Sequence, residues 1–252
     1  MSSVINVVLY RLKRIIYRIL TSTLYRQGIT KTINGTRVKF PFAYSRYYPS
    51  DYEPFKQKFI EKYAYGLAVD LGAHIGLYTV LLSKKATQVI AFEPATFTRK
   101  VLKETLKVND CNNVIVRPEM VTDVSGSGTF YETETSVSNS NSLVPVGNPI
   151  SVSAIALDDL NLKVDFLKID IEGAELLALR GARMTLSSLK YMTLEIHPRL
   201  MAQLGQTVNE LFELLQPFEP RYFIGDKVTT VEMLSKIEDH FEINILLNGA
   251  MI

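Results

Sequence analysis

The 252-residue sequence predicts an α/β fold with a doubly wound, mostly parallel sheet, because short apolar segments alternate with helix-like segments from residue 67 onward. A glycine turn follows the first apolar segment, where ligands approach the backbone in such folds. A polar stretch over residues 125–157, with β-like segments at 128–131 and 150–157, interrupts the alternation and predicts a lid or specificity loop. The predicted strands cover residues 67–71, 88–93, 113–117, 164–169, 191–196 and 241–247, and the predicted helices include residues 76–85, 96–108 and 174–179.

An N-terminal appendage of residues 1–65 precedes the sheet-forming domain of residues 66–252. Its Asn34-Gly35 pair, between two β-like segments of residues 29–40, predicts a hairpin. An aromatic cluster follows and predicts packing between the appendage and the domain, or alternatively a wall against a sugar ring or a cofactor. Its members are Phe42, Tyr44, Tyr47, Tyr48, Tyr52 and Phe55.

The first 50 residues carry nine basic side chains and no acidic one, which favours an anionic partner for this end of the chain. Residues 4–20 predict a helix whose apolar face lies opposite Arg11, Arg14 and Arg18. These charges exclude a membrane-spanning helix and a secretory signal. We expect peripheral contact of residues 4–20 with an anionic membrane. The alternative is packing of the apolar face on the domain or on a second subunit of a homo-oligomer.

The turn after the first strand predicts a nucleoside site. Asp70 ends the strand, and Gly72 and Gly76 shape a D-x-G-x-x-x-G turn before a helix. Glu93 ends the second strand 23 residues after Asp70, where an acidic residue binds ribose hydroxyls in βαβ units. The turn lacks the G-x-G-x-x-G spacing of dinucleotide sites, which argues against an NAD-dependent enzyme.

Charged residues also accompany the later strands. Lys168, Asp170 and Glu172 alternate, so they share one face while the strand persists and are candidates for binding cofactor or substrate. His197 closes the fifth strand and is the candidate general base, since an imidazole with a near-neutral pKa suits proton removal. Glu195 shares its face and can orient it. Asp170, Glu195 and His197 can also hold a divalent metal ion, but their spacing is not diagnostic and no metal site is predicted.

Four segments of the sequence resemble the FkbM-type methyltransferases. They are residues 67–76, Ala91-Phe-Glu-Pro94, residues 164–175 and Leu194-Glu-Ile-His197. The resemblance spans about residues 66–200 and is most specific at Lys168-Ile-Asp-Ile-Glu-Gly173. It implies a Rossmann-like, seven-stranded methyltransferase sheet and S-adenosylmethionine as cofactor. Characterised members mostly methylate hydroxyl groups of sugars and polyketides.

The resemblance also implies a set of cofactor contacts, with Asp123 beside the adenine amino group. One position departs from the family pattern, because His74 stands where asparagine is usual. The resemblance implies that the residue at this position contacts the methionine end of the cofactor. The implied contacts are Asp70, Gly72, His74, Gly76, Glu93, Asp123 and Asp170.

The sequence therefore predicts an S-adenosylmethionine-dependent O-methyltransferase acting on a hydroxyl of a sugar, glycan or related small molecule. The alternatives are a catalytically silent binding protein of the same fold and an NAD-dependent oxidoreductase. Nucleic acid is not expected as a partner, since Asn148-Pro-Ile does not match the amine-methylating motif. The single cysteine, Cys111, excludes an intrachain disulfide and fits the cytoplasm, at the inner face of the membrane if residues 4–20 bind lipid. The predicted catalytic residues are His197, Asp170, Glu172 and Lys168.

Overall fold

The computed structural model describes residues 28–132, 142–145 and 147–251, together with Leu12 and Ile16. Leu12 and Ile16 are helical and are 51% and 47% exposed. The rest of the helix predicted over residues 4–20 lies outside the described residues. No helix of the described part is long and apolar enough to cross a membrane.

The bounds of the elements are as follows. The strands are β1 (Ile29–Ile33), β2 (Thr36–Phe40), β3 (Leu67–Leu71), β4 (Gln88–Phe92), β5 (Val114–Arg117), β6 (Met120–Val121), β7 (Gly126–Glu132), β8 (Asn148–Ile155), β9 (Phe166–Ile169), β10 (Tyr191–Ile196), β11 (Arg221–Ile224), β12 (Lys227–Thr229) and β13 (Phe241–Leu246). The helices are α1 (Pro54–Tyr63), α2 (Leu77–Ser83), α3 (Thr96–Val108), α4 (Glu175–Arg180), α5 (Arg183–Ser188), α6 (Pro198–Gln203), α7 (Val208–Leu215) and α8 (Val231–Leu234).

The central sheet has eight strands in the order β12-β11-β13-β10-β9-β3-β4-β5. Strands β10, β9, β3, β4 and β5 pair in parallel, and β13, β11 and β12 add antiparallel pairings at one side. All six predicted strands lie in this sheet, so the prediction of a mostly parallel α/β sheet is confirmed. The described sheet has eight strands instead of the predicted seven, because β12 pairs with β11 as one additional edge strand after the turn at Gly225 and Asp226.

Both faces of the sheet are covered by apolar side chains. Val69 and Leu71 pack into one core with helices α4, α5 and α7, whereas Ala68 packs into the other with α2 and α3. This division follows from the two-residue period of a strand, which sends successive side chains to opposite faces. A parallel sheet buried on both faces needs such nearly continuous apolar strands.

The order of the strands places the ligand-binding edge of the sheet. The chain runs from β3 through β4 to β5 and then returns to β9 and β10 on the other side of β3. The switch point therefore lies between β3 and β9, and open α/β sheets bind ligands beyond the carboxyl ends of such a strand pair. Asp70 and Lys168 are direct cross-strand partners here.

The polar stretch over residues 125–157 is largely a second sheet. Strands β7 and β8 pair antiparallel over its described part, and β6 pairs with β8. The β-like segments predicted at 128–131 and 150–157 are thus confirmed as strand-forming, while residues 133–141 lie outside the described residues.

The described part of the N-terminal appendage packs on the domain. Strands β1 and β2 form the predicted hairpin, with Asn34 and Gly35 at positive φ in the turn. Phe40, Tyr48 and Ile60 belong to the same core as helix α2. The appendage from residue 28 onward therefore forms part of the surface that lies above the switch point.

Candidate active site

A cavity that is partly open to solvent lies at the carboxyl ends of β3, β4 and β9. Six of the predicted site residues line it: Gly72, His74, Glu93, Lys168, Asp170 and Glu172. Apolar side chains of β4 and of the second sheet also line it, namely Phe92, Met120, Val121, Phe130 and Leu143. Tyr47, Tyr48 and Tyr52 of the appendage complete the wall. The cavity thus combines apolar surface with buried charge and aromatic rings.

The glycine turn brings backbone to the cavity. Gly72 has φ 78°, and a Cβ at this position would lie 1.8 Å from the carbonyl oxygen of Asp170. Only glycine fits this close approach between the end of β3 and the segment after β9. Gly76, at φ 97°, lies outside the cavity lining, and a Cβ there would lie 2.7 Å from Leu102. Gly76 therefore serves the packing of α2 against α3, and its predicted contact with the cofactor stays a prediction.

Glu93 is clamped at the cavity by backbone amides. Its Oε2 accepts a hydrogen bond from His74 N at 2.8 Å, and its Oε1 accepts one from Ala95 N at 2.9 Å. Burial raises the pKa of Glu93 to about 7, although both amide hydrogen bonds favour the charged form. Each oxygen keeps lone-pair capacity for a further donor. The side chain is thus held rigidly with its carboxylate available to a hydroxylated ligand.

His74 joins the glycine turn to the appendage. Its Nδ1 lies 3.0 Å from the Tyr48 hydroxyl, and its Nε2 lies 3.5 Å from the Tyr47 hydroxyl. Burial lowers the pKa of His74 to about 4, so its imidazole is neutral at physiological pH. The residue that departs from the family pattern is therefore a neutral hydrogen-bonding partner of the tyrosine wall.

Asp70 and Lys168 form a buried ion pair at the switch point. Lys168 Nζ lies 2.9 Å from Asp70 Oδ1 and 3.8 Å from Asp170 Oδ2, and Thr79 donates to the other oxygen of Asp70 at 2.6 Å. Burial opposes the charge of Lys168, but Asp70 and Asp170 outweigh it and hold the pKa of the ammonium above its usual value. Asp70 is fully buried and outside the cavity lining. In the structure Asp70 holds Lys168 in place, and its predicted contact with the cofactor stays a prediction.

A turn, not a continuing strand, presents Asp170 and Glu172. Strand β9 ends at Ile169, and the chain then turns with Glu172 at φ 53° and Gly173 at φ 99°. The two carboxylates still meet at the cavity, but the reason is this turn and not the shared strand face that the sequence predicts. Burial raises the pKa of Glu172 to about 8, against the opposing charge of His197.

His197 lies behind Glu172, outside the cavity lining. Its Nδ1 is 2.8 Å from Glu175 Oε1, and its Nε2 is 3.4 Å from Glu172 Oε2 and 3.7 Å from Glu195 Oε1. Burial opposes its charge, but the hydrogen bond and charge of Glu175, with Glu172, raise the pKa of His197 to about 9. The expectation of a near-neutral base is therefore corrected, because the imidazole is protonated at neutral pH.

Asp123 does not reach the cavity. The chain leaves the central sheet after β5, and β6 pairs with β8 of the second sheet, so the loop after Val121 turns to solvent. Asp123 is exposed, whereas Glu119 and Met120, just before it, line the cavity. The predicted contact of Asp123 with adenine therefore stays a prediction, with Asp123 outside the cavity lining.

Sequence reasoning missed two charged residues that organise the site. Lys56 of α1 is 1% exposed and forms ion pairs with Glu53, with Glu195 at 3.0 Å and with Glu242 at 3.2 Å. Glu175 is fully buried, accepts a hydrogen bond from Gly173 N at 2.9 Å and holds His197. The only sequence signal for Lys56 is the i,i+3 pair with Glu53. Glu175 gives no sequence signal of its own, because an acidic residue in the first turn of a helix is already explained by the helix dipole.

A family model decides the identity of the domain. The model of the methyltransferase FkbM domain matches residues 70–237, which include the glycine turn, Glu93, the segment from Lys168 to Glu175 and His197. The chain belongs to the FkbM methyltransferase family. It is accordingly an S-adenosylmethionine-dependent methyltransferase.

Solved structures similar to this methyltransferase include three bacterial and archaeal proteins. SMU.1697c from Streptococcus mutans, in complex with SAH, is 12% identical, with 76% of this chain and 95% of that chain covered and a TM-score of 0.47. An rRNA methylase from Streptococcus thermophilus is 10% identical, with 76% and 93% covered and a TM-score of 0.48. TYW2 from M. jannaschii, in complex with AdoMet, is 14% identical, with 88% and 85% covered and a TM-score of 0.44. Among curated proteins none matches this sequence. The family assignment rests on the family model.

The lining of the cavity carries groups that suit the cofactor of the family. S-adenosylmethionine combines a flat apolar base, a ribose with two hydroxyls and a charged methionine end. The cavity offers the apolar side chains of Phe92 and Phe130, the amide-clamped carboxylate of Glu93 and the anionic Asp170. Lys168 holds the pKa of Asp170 below its usual value although burial opposes this, so a carboxylate is available to an ammonium group.

Proposed function

We propose that this methyltransferase transfers a methyl group to a hydroxyl of a sugar, glycan or related small molecule. The observation that carries the proposal is the tyrosine wall: Tyr47, Tyr48 and Tyr52 line the same cavity as Asp170 and Glu172. Aromatic rings supply rigid apolar surface, and carboxylates accept hydrogen bonds from hydroxyl groups. A polyhydroxylated ring needs both kinds of contact.

The cofactor would be held by the glycine turn and by Glu93, with Asp170 available to its ammonium group. When bound, it supplies a methyl group on a positively charged sulfur. The chain supplies the positioning, since Lys168 fixes Asp170, and His197 fixes Glu172 from behind. Much of the rate should come from this orientation.

The lining of the cavity argues against a nucleic-acid substrate. Lys168 is the one Lys or Arg of the described lining and is paired with Asp70, whereas Glu93, Glu119, Asp170 and Glu172 are acidic side chains. Nucleic-acid sites present excess Lys and Arg to the phosphates. Family membership also favours methyl transfer over the silent binding protein and the NAD-dependent oxidoreductase.

The acceptor is tested by mass spectrometry of sugars and small glycans incubated with the enzyme and S-adenosylmethionine. We expect a mass increase of one methyl group on hydroxylated acceptors. Tyr47→Ala should raise the KM for such an acceptor several-fold, roughly the loss of one aromatic contact of about 1 kcal/mol, with little change in cofactor affinity. Tyr65→Ala is the matched control, because Tyr65 is 46% exposed and lies outside the cavity. Transfer to RNA or amines alone would overturn the proposal.

Glu93→Ala is expected to weaken cofactor binding by about 1–3 kcal/mol, the range for hydrogen bonds to a charged group. Asp123→Ala is the control, since the structure places Asp123 in solvent and predicts no change in calorimetric affinity. Ribose hydroxyls donate best to the ionised carboxylate, so wild-type affinity should rise as pH increases through about 7. Equal losses of cofactor affinity in both variants would contradict this expectation and support the sequence-based assignment, in which Asp123 also contacts the cofactor.

Membrane contact through residues 4–20 is also part of the proposal, and the alternative is packing of this segment on the domain or on a second subunit of a homo-oligomer. The charge pattern supports the membrane contact, with nine basic residues and no acidic one among the first 50, and the single cysteine fits a cytoplasmic location. Basic amphipathic helices bind anionic lipid surfaces through both charge and apolar area. A glycan acceptor carried on a lipid would be reached from such a surface.

A further inference from the structure

Three side chains beside the cavity have the composition of a metal site. Asp170, Glu172 and His197 each offer one ligand atom, and these atoms all lie within 4.8 Å of one another. A divalent cation bound at about 2.1 Å separates its ligand atoms by roughly 3–4 Å. Small side-chain rotations therefore bring the three atoms to coordination distance.

The orientation of His197 provides an independent indication. Its Nδ1 contacts the fully buried Glu175 at 2.8 Å, and this contact directs Nε2 toward Glu172. Metal-binding histidines almost always donate the other ring N–H to a carboxylate, a backbone carbonyl or water. The second oxygen of Glu175, Oε2, is buried without a hydrogen-bond partner among the described residues. Glu175 therefore has the position of a residue that orients a ligand.

Each of the two carboxyl groups contacts one basic side chain of the described residues. Lys168 lies 3.8 Å from Asp170 but is closer to Asp70, at 2.9 Å. Glu172 contacts His197. Because metal ligands are deprotonated, a bound dication would take the place of the proton on His197 Nε2 and would keep Glu172 ionised.

We propose that Asp170, Glu172 and His197 bind one divalent cation of the Mn²⁺ or Mg²⁺ type. Two carboxylates and one imidazole suit such ions, and three protein ligands leave coordination positions for water or a hydroxyl oxygen. Glu195, which the sequence suggests as a ligand, is held by Lys56 at 3.0 Å, so Glu172 takes its place. The inference rests on the proposed function for its role, since a bound cation lowers the pKa of a coordinated hydroxyl.

Manganese binding tests the site directly on the full chain after removal of metal by a chelator. Free Mn²⁺ is followed by electron paramagnetic resonance during a titration without cofactor or acceptor. We expect one saturable site per chain. Glu172→Gln and His197→Gln should each weaken the affinity about tenfold or more, and Mg²⁺ should compete. Glu232→Gln, at an exposed ion pair with Lys236, is the control and should leave the affinity unchanged.

The absence of saturable Mn²⁺ binding by the wild-type chain would overturn the inference whatever the variants do. Unchanged affinity in both Glu172→Gln and His197→Gln would also overturn it, by showing that the ion binds elsewhere. If one variant fails to fold, the other and the wild-type titration still decide. The titration does not depend on methyl transfer. If Mn²⁺ binds saturably but the acceptor assay shows no methylated product, the result supports the metal site and counts against the proposed function alone.

Discussion

Replacing Lys168 by methionine is expected to lower the free energy of unfolding by about 3–5 kcal/mol, the range for breaking a buried ion pair by removing one partner. Lys168 is 1% exposed and Asp70 is fully buried, so the variant leaves a carboxylate in the core without its cation. Urea denaturation followed by circular dichroism measures the effect. The double variant with Asp70→Asn should recover part of the loss, because the uncompensated charge is then absent.

Lys236→Met is the matched control for Lys168→Met. Its ion pair with Glu232 has a similar distance, 2.9 Å, but the side chains are 72% and 82% exposed. Exposed i,i+4 pairs contribute about 0.3–0.5 kcal/mol, so this variant should unfold nearly as the wild type does. A comparable small loss in both variants would contradict the role assigned to the Asp70–Lys168 pair.

His197→Ala is expected to lower kcat about 100-fold while changing the dissociation constant of S-adenosylmethionine little. The reason is positioning: His197 lies outside the cavity but holds Glu172 through Nε2 and Glu175 through Nδ1. Without the imidazole, Glu172 loses its contact with Nε2 and its fixed orientation beside the acceptor. Steady-state kinetics and cofactor calorimetry separate the two effects.

His240→Ala is the control for His197→Ala. The ring of His240 lies 6.0 Å from that of His197 and stacks on it, but His240 is exposed. Its removal tests whether ring contact alone matters, and kcat should stay near the wild-type value. An unchanged kcat in His197→Ala would remove His197 from the mechanism. A parallel loss of cofactor affinity would indicate general damage to the domain.

The parts of the fold that follow from local pattern are predictable from the sequence. Continuous apolar runs place the six strands of the central sheet, and the Asn34-Gly35 pair places the N-terminal hairpin. The glycine turn and Glu93 are recognisable because their spacing follows from a βαβ unit, whose strands are adjacent and parallel. Strands β11 and β12 are short and mostly exposed at the edge, so their pattern is weak, although the Gly225-Asp226 turn between them is a hairpin signal.

The sequence by itself determined the α/β class, the family resemblance and the residues at the ends of β3, β4 and β9. Only the tertiary structure decided which of these residues line the cavity. Asp70 pairs with Lys168 across two strands far apart in the chain, and His197 lies behind Glu172 because Glu175 holds it there. Spacing along a chain determines backbone conformation and the face of an element, whereas strand order, cross-strand register and the packing of the appendage bring distant side chains together. These long-range contacts set the burial and charge that make Glu172, His197 and the tyrosine wall a site.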